Sequence, residues 1–183
     1  MSRKLYCEFD IIIPRKLRAP HSEELAIGAV IGGSRERNST TIYLNKELIR
    51  ELEISQEYIE KEKTIQIEEI KRRYSLYRNT ERREYHYQLQ NKTVILVDDG
   101  IATGATVIAA ARWIKTNNPK QLIIAVPVAP KQTKDLLKTE ADHIEVITAP
   151  STSGFKSVGQ YYQDFNPVTD EQVREIMKKR NLL

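Results

Sequence analysis

Between Thr93 and Val128 the chain runs TVILV, DDGIATG, ATVIAAARWIKTNN, PK and QLIIAVPV. A short β-branched run, a turn with two glycines, an alanine-rich helical stretch and a second β-branched run make a strand–helix–strand unit. Two strands separated by a whole helix lie parallel, because an antiparallel return needs only a hairpin. The alanines let the helix approach the sheet closely, and Asn118-Pro119 stops it. DLLKTEAD then reads as a short helix, HIEVITAP as a further strand, and TDEQVREIMKKR as a terminal helix capped by Thr169 or Asp170. The pattern predicts an α/β fold, a mostly parallel central sheet flanked by helices with right-handed crossovers.

The first half is less regular. DIIIP at Asp10 to Pro14 is a β-branched run closed by proline, which predicts a buried strand ending at a loop that carries Arg15, Lys16 and Arg18. ELAIGAVIGG contains Gly28 and the Gly32-Gly33 pair, each suited to a turn or a close backbone approach. TIYLN at Thr41 to Asn45 predicts another short strand. From Lys46 the chain turns charged and helical, with Ile59, Ile67, Ile70, Tyr74 and Tyr77 as an interrupted apolar stripe. Ser55 suits a first cap, and Thr64 or Gln66 a second start. This stretch has too little apolar content for a core of its own. Residues 1–183 are therefore expected to form one domain, with 46–90 a helical insertion that acts as a lid, a solvated arm or a dimer contact.

Bulk properties narrow the function. The formal charge of +4, from 29 basic and 25 acidic residues, is too small and too interspersed to indicate nucleic acid, yet suits a small anionic ligand. The one cysteine, Cys7, excludes an intrachain disulfide framework and a cysteine-built metal site. No apolar run approaches the roughly 20 residues needed to span a bilayer, and no export signal is recognisable, so a cytoplasmic protein is expected.

The chemistry concentrates in VILVDDGIATGAT, Val94 to Thr106. In open parallel sheets ligands collect beyond the carboxyl ends of strands, where helix N-termini also point. Unpaired N–H groups at the start of the following helix, and its positive dipole end, favour a phosphate there. Gly104 permits close backbone approach, and Thr103 and Thr106 offer hydroxyls. Asp98 and Asp99 would repel phosphate but suit ribose hydroxyls, with a hydrated magnesium ion balancing the charge. A phosphorylated sugar fits both halves. The competing reading has the acids merely capping the turn. Neither a GxxxxGK[ST] nor an early GxGxxG sequence is present.

VILVDDGIATGAT resembles the signature loop of the type I phosphoribosyltransferases. DIIIPRKLRAP with ELAIGAV, AVPVAP, and GFKSVGQYYQDF before a terminal helix extend the resemblance to a poorly characterised bacterial and archaeal branch. It implies that Asp98 and Asp99 contact the ribose hydroxyls of phosphoribosyl pyrophosphate. Ile101, Ala102, Thr103, Gly104, Ala105 and Thr106 would cradle its 5-phosphate. Lys16 would approach the pyrophosphate, with Arg15 either assisting or standing as a solvated charge. The resemblance also implies a preceding segment with a pyrophosphate-binding PRGG-like loop, which these residues do not contain. Gly32-Gly33-Ser34 is an anion-loop candidate by composition but does not match that place.

The implied activity is magnesium-dependent transfer of the phosphoribosyl group to a nitrogenous base, with release of pyrophosphate, in a homodimer or higher homo-oligomer. Mg2+ would be bound mainly through the ligand, with no metal site built by the protein. The alternative is a non-catalytic sensor of phosphoribosyl pyrophosphate. Arg72, Arg73, Arg78, Arg82 and Arg83, in the interval where related enzymes place a mobile loop, could meet pyrophosphate or form an ordinary surface, and His86 is an acid-base candidate. Ala102 stands where enzymes acting on 6-oxopurines carry a third aspartate, which counts against that acceptor class. Phe155, Tyr161 and Tyr162 border the expected acceptor pocket or fill a core edge.

Overall fold

A computed structural model describes residues 2–32, 40–78 and 88–180, apart from the side chains at 23 and 24. The elements are α1 (Ser2–Leu5), β1 (Pro14–Ala19), β2 (Ser22–Ile31), β3 (Thr41–Leu44), α2 (Lys46–Glu51), α3 (Gln56–Tyr77), β4 (Thr93–Val97), α4 (Ala105–Lys115), β5 (Gln121–Val128), α5 (Lys131–Leu137), β6 (His143–Thr148) and α6 (Asp170–Lys179). Single 3-10 turns occupy Thr152–Gly154 and Val158–Tyr161. Gly33, Ser34, Arg82, Arg83 and His86, singled out above, lie outside the described residues.

The fold is α/β, as the strand–helix spacing implies, but its strands divide evenly between two sheets. β4, β5 and β6 pair in that order, all parallel, through the crossovers containing α4 and α5. β1, β2 and β3 form an antiparallel sheet, so the expected mostly parallel arrangement holds only after Thr93. The first half lacks a strand–helix–strand rhythm because its strands return by short connections, which cannot join parallel neighbours.

α4 lies between the sheets, against β1, β2 and β3 on one side and β5 on the other. Ala109, Ala110, Ala111, Ile108, Trp113 and Ile114 are all buried there, which is why this helix is apolar around most of its circumference. Its small side chains keep both sheets close to its axis. A second core forms on the far face of the antiparallel sheet, where Ile59, Ile70 and Tyr77 of α3 meet Leu17, Ile27 and Val30. α3 runs unbroken, capped by Ser55 accepting from Tyr58 N–H. No second start occurs near Thr64, whose hydroxyl instead donates to the Glu60 carbonyl one turn back.

The DIIIP strand is also displaced. Pro14 begins β1 rather than ending a strand, and Asp10 to Ile13 carry no ladder. Proline has no N–H to give, so the first position of a strand tolerates it. The isoleucines are apolar because Ile12 packs on the core around α4 and Ile13 on the core beneath α3. Burial produced the pattern, and burial alone does not specify pairing. Arg15, Lys16 and Arg18 consequently sit within a β-hairpin and alternate between its faces.

Candidate functional site

β4 ends at Val97, and the chain passes through Asp98 to Gly104 into the first turn of α4. Ile101 is fully buried and its N–H donates to the Val128 carbonyl at 2.9 Å, so the loop is pinned to the end of β5. Gly100 is required by packing: a Cβ there would lie 2.6 Å from Val158 Cγ1 and 2.8 Å from Val128 Cγ1. Gly104 has φ +86°, a left-handed conformation that favours glycine, and it serves as the N-cap of α4 without any side-chain cap. The first N–H groups of α4 therefore have no side-chain cap, at the positive end of the helix dipole.

The loop places Ala102 and Thr103 at the surface and half-buries Thr106, while Ile101, Gly104 and Ala105 are buried. These last three can offer a ligand only backbone. Asp98 and Asp99 stand at the mouth of the same turn. Asp99 N–H donates to Asp98 Oδ1 at 3.0 Å. Behind Asp98 lies a recess of about 100 Å³ lined by Ile12, Pro14, Leu96, Val97, Thr106, Val107 and Ala110. Its lining gives the carboxylate largely apolar surroundings.

Those surroundings set its ionisation. Solvent reaches Asp98, yet the protein hems it in, and burial pushes its pKa up to about 6, with Asp99 adding to the rise. The Asp99 N–H and the charge of Lys16 oppose that rise. Asp99 is also raised, by burial, against hydrogen bonds from the N–H groups of Gly100 and Asp99 itself. An acid pair poised this way gains from donors or cations brought by a ligand.

Lys16 shares a face of β1 with Pro14, which lines the recess, and it is the basic residue whose charge acts on Asp98. Arg15 points the other way. Its Nε donates to Gln66 Oε1 at 2.9 Å, so α3 holds it on the opposite face of the sheet. Arg72 and Arg73 both bind Glu69, whose carboxyl they hold down at about 2, and Arg72 also reaches Asp170 at the start of α6. Arg78 pairs with Asp10 at 2.6 Å and donates to the Ile11 carbonyl. Arg72 thus ties α3 to α6 and Arg78 ties the end of α3 to the segment before β1, while the Arg73 pair with Glu69 stays within α3.

The expected aromatic border splits in two. Phe155 stacks with Tyr161 at 6.0 Å. Tyr162 turns away, packs against Phe165 at 5.0 Å, and donates its hydroxyl to the Asp99 carbonyl at 2.5 Å. Sequence reading missed a second such tether, from Thr133 Oγ1 of α5 to the Ala102 carbonyl at 2.7 Å. A threonine among polar helix residues gives no signal of that role. Among the described residues, no group of three or more His, Cys, Asp or Glu side chains could hold a metal ion. No described helix is long and apolar enough to cross a membrane.

Comparison with known proteins gives consistent matches. A phosphoribosyl transferase domain model matches residues 38–163. Two Mycobacterium tuberculosis proteins, "Putative phosphoribosyl transferase MT0597" of strain CDC 1551 and "Putative phosphoribosyl transferase Rv0571c" of strain H37Rv, are each 30% identical over 173 residues. The matches cover 94% of this chain but 37% of each relative, so the chain spans little more than a third of the length of these curated relatives. The crystal structure of TT1426 from Thermus thermophilus is similar with a TM-score of 0.70 and 33% identity, over 97% of this chain and 79% of that one.

Proposed function

Since this chain belongs to the phosphoribosyltransferase family, we propose that it binds phosphoribosyl pyrophosphate with magnesium at the β4–α4 loop and transfers the phosphoribosyl group to a nitrogenous base. The observation that carries this reading is the division of the loop: two carboxylates at one end, a helix start without a side-chain cap at the other, and Lys16 acting on Asp98. Asp98 and Asp99 accept hydrogen bonds from the ribose hydroxyls. The turn from Ile101 to Thr106 holds the 5-phosphate against its N–H groups and the Thr103 and Thr106 hydroxyls. Lys16 faces the pyrophosphate. Arg15, held by Gln66, has no part in this assignment.

Asp98 and Asp99 would suit a magnesium ion that arrives on the pyrophosphate and keeps several of its waters. Bound there, the ion would neutralise charge developing on the leaving group. In the reaction the bond between the anomeric carbon and the pyrophosphate oxygen breaks, its electron pair leaving with pyrophosphate. The nitrogen lone pair of the base forms the new bond, and its proton passes to solvent. The chain's own residues contribute orientation and fixed dipoles, which need not reorganise during the step. Ala102 presents a methyl group at the loop surface, so 6-oxopurines are disfavoured as acceptors.

Pyrophosphate release measured with a panel of bases tests turnover. The reading expects release with at least one base that is not a 6-oxopurine. It also expects Lys16→Ala to lower kcat/KM about tenfold or more, the scale of a lost charge-assisted hydrogen bond. Binding without release for any base would reduce the protein to a sensor of the donor.

A further inference from the structure

The loop that carries the site is held from outside by two side chains, and each takes a carbonyl. Thr133 Oγ1, on α5, donates to the Ala102 carbonyl at 2.7 Å. Tyr162 Oη, beyond the last 3-10 turn, donates to the Asp99 carbonyl at 2.5 Å. A trans peptide is planar, with its C=O and N–H pointing in opposite directions. Fixing the carbonyl of a residue therefore also aims the N–H of the next. At the Asp99–Gly100 peptide the Gly100 N–H is thereby turned to the side opposite Tyr162, where its dipole works against the burial that raises the Asp99 carboxyl. The Ala102–Thr103 peptide is held in the same way, and its N–H is turned away from α5.

Both tethers are supported by packing. A Cβ on Gly104 would come within 3.3 Å of Thr133 Cγ2, so α5 lies close against the loop's last residue. On the other side, Val158 fills the space that a side chain at Gly100 would need, and Phe165 backs the Tyr162 ring. The loop's own sequence is small and permissive, so it does not select this conformation unaided.

We propose that Thr133 and Tyr162 are positioning residues of the candidate site: Thr133 aims the Thr103 N–H at the ligand phosphate, and Tyr162 fixes the Asp99–Gly100 peptide beside the acid pair. The assignment rests on the phosphoribosyl reading given above. It removes Tyr162 from the acceptor pocket, leaving Phe155 and Tyr161 as its aromatic members. It also makes the end of β5, α5 and the carboxyl-terminal turns a frame around the loop that carries the acids and the phosphate turn.

The test uses Thr133→Val, which keeps the shape and loses the donor, Thr133→Ser, which keeps the donor, and Tyr162→Phe. Affinity for ribose 5-phosphate and for phosphoribosyl pyrophosphate with magnesium is measured by calorimetry, alongside amide NMR of the ligand-free proteins. Thr133→Val should weaken both ligands about fivefold to tenfold, a lost hydrogen bond's worth, with Thr133→Ser near wild type. Its Thr103 amide resonance should shift, and Thr133→Ser should restore it. Tyr162→Phe should shift the Gly100 amide and weaken phosphoribosyl pyrophosphate by a similar factor. Unchanged affinities in Thr133→Val and Tyr162→Phe, or a Thr133→Ser protein as weak as Thr133→Val, would overturn the proposal. Wild-type protein that binds neither ligand would instead sink the phosphoribosyl reading, while unmoved Thr103 and Gly100 amides would reject the tethers by themselves.

Discussion

The Asp98 carboxyl stands beside apolar Ile12, Pro14 and Val97, next to a second acid, and its pKa rises from 3.8 to about 6. Between those values the folded chain keeps a proton that the unfolded chain has released. The site's contribution to stability is thus fully present below about pH 3.8 and is lost as pH rises through about 6. At neutral pH the ionised acid costs stability. Asp98→Asn keeps the oxygen that accepts from Asp99 N–H and removes the charge. Discounted for the solvent that reaches the group, the gain is about 1 kcal/mol at pH 7.5, or roughly 2–4 °C in Tm. Thermal melts at pH 7.5 and pH 4 should show that gain at the higher pH and little difference at the lower. A variant less stable than wild type at pH 7.5 would refute the assigned cost. This residue was legible as a ligand group from its place after TVILV. Its ionisation was not, because the recess behind it is built partly from Ile12 and Pro14, far away in sequence.

Elements were legible where their pattern depended on local neighbours. The strand–loop–helix from Thr93 to Lys115, the Ser55 and Thr169 caps, and β3 all follow from residues within a few positions of one another. The hairpin of β1 and β2 did not, because its apolar residues face two different cores and its basic residues alternate between a helix and the acid turn. That alternation also separates Lys16 from Arg15. Gly28 shows the same limit: its sequence context suggests a close approach without naming the partner. A Cβ there would fall 2.1 Å from the Tyr43 carbonyl oxygen, so β2 and β3 could not keep their register. Gly28→Ala should cost about 3 kcal/mol, read as a lower urea midpoint. Gly32→Ala, whose new methyl would meet Ile70 Cγ2 at 3.6 Å and nothing nearer among the described residues, should change it little. Equal midpoints for the two variants would show that β3 is not seated as described.

At the scale of the molecule, two sheets share one buried helix, and the site forms where the parallel sheet's first strand hands over to that helix. The antiparallel sheet, on the helix's other side, brings Lys16 to the acids. The opposite face of the parallel sheet leaves Ile95, Val97 and Ile147 exposed, although parallel sheets are ordinarily covered on both faces. The central claim is narrower than the architecture: phosphoribosyl pyrophosphate is held by the acid pair and the loop behind it. Isothermal titration of that ligand with magnesium into wild-type protein and into the Asp98→Asn, Asp99→Asn double variant tests it most directly. The account predicts saturable binding to wild type and at least a tenfold loss in the variant, with its thermal stability at pH 7.5 intact. Equal affinity in the two proteins would contradict it.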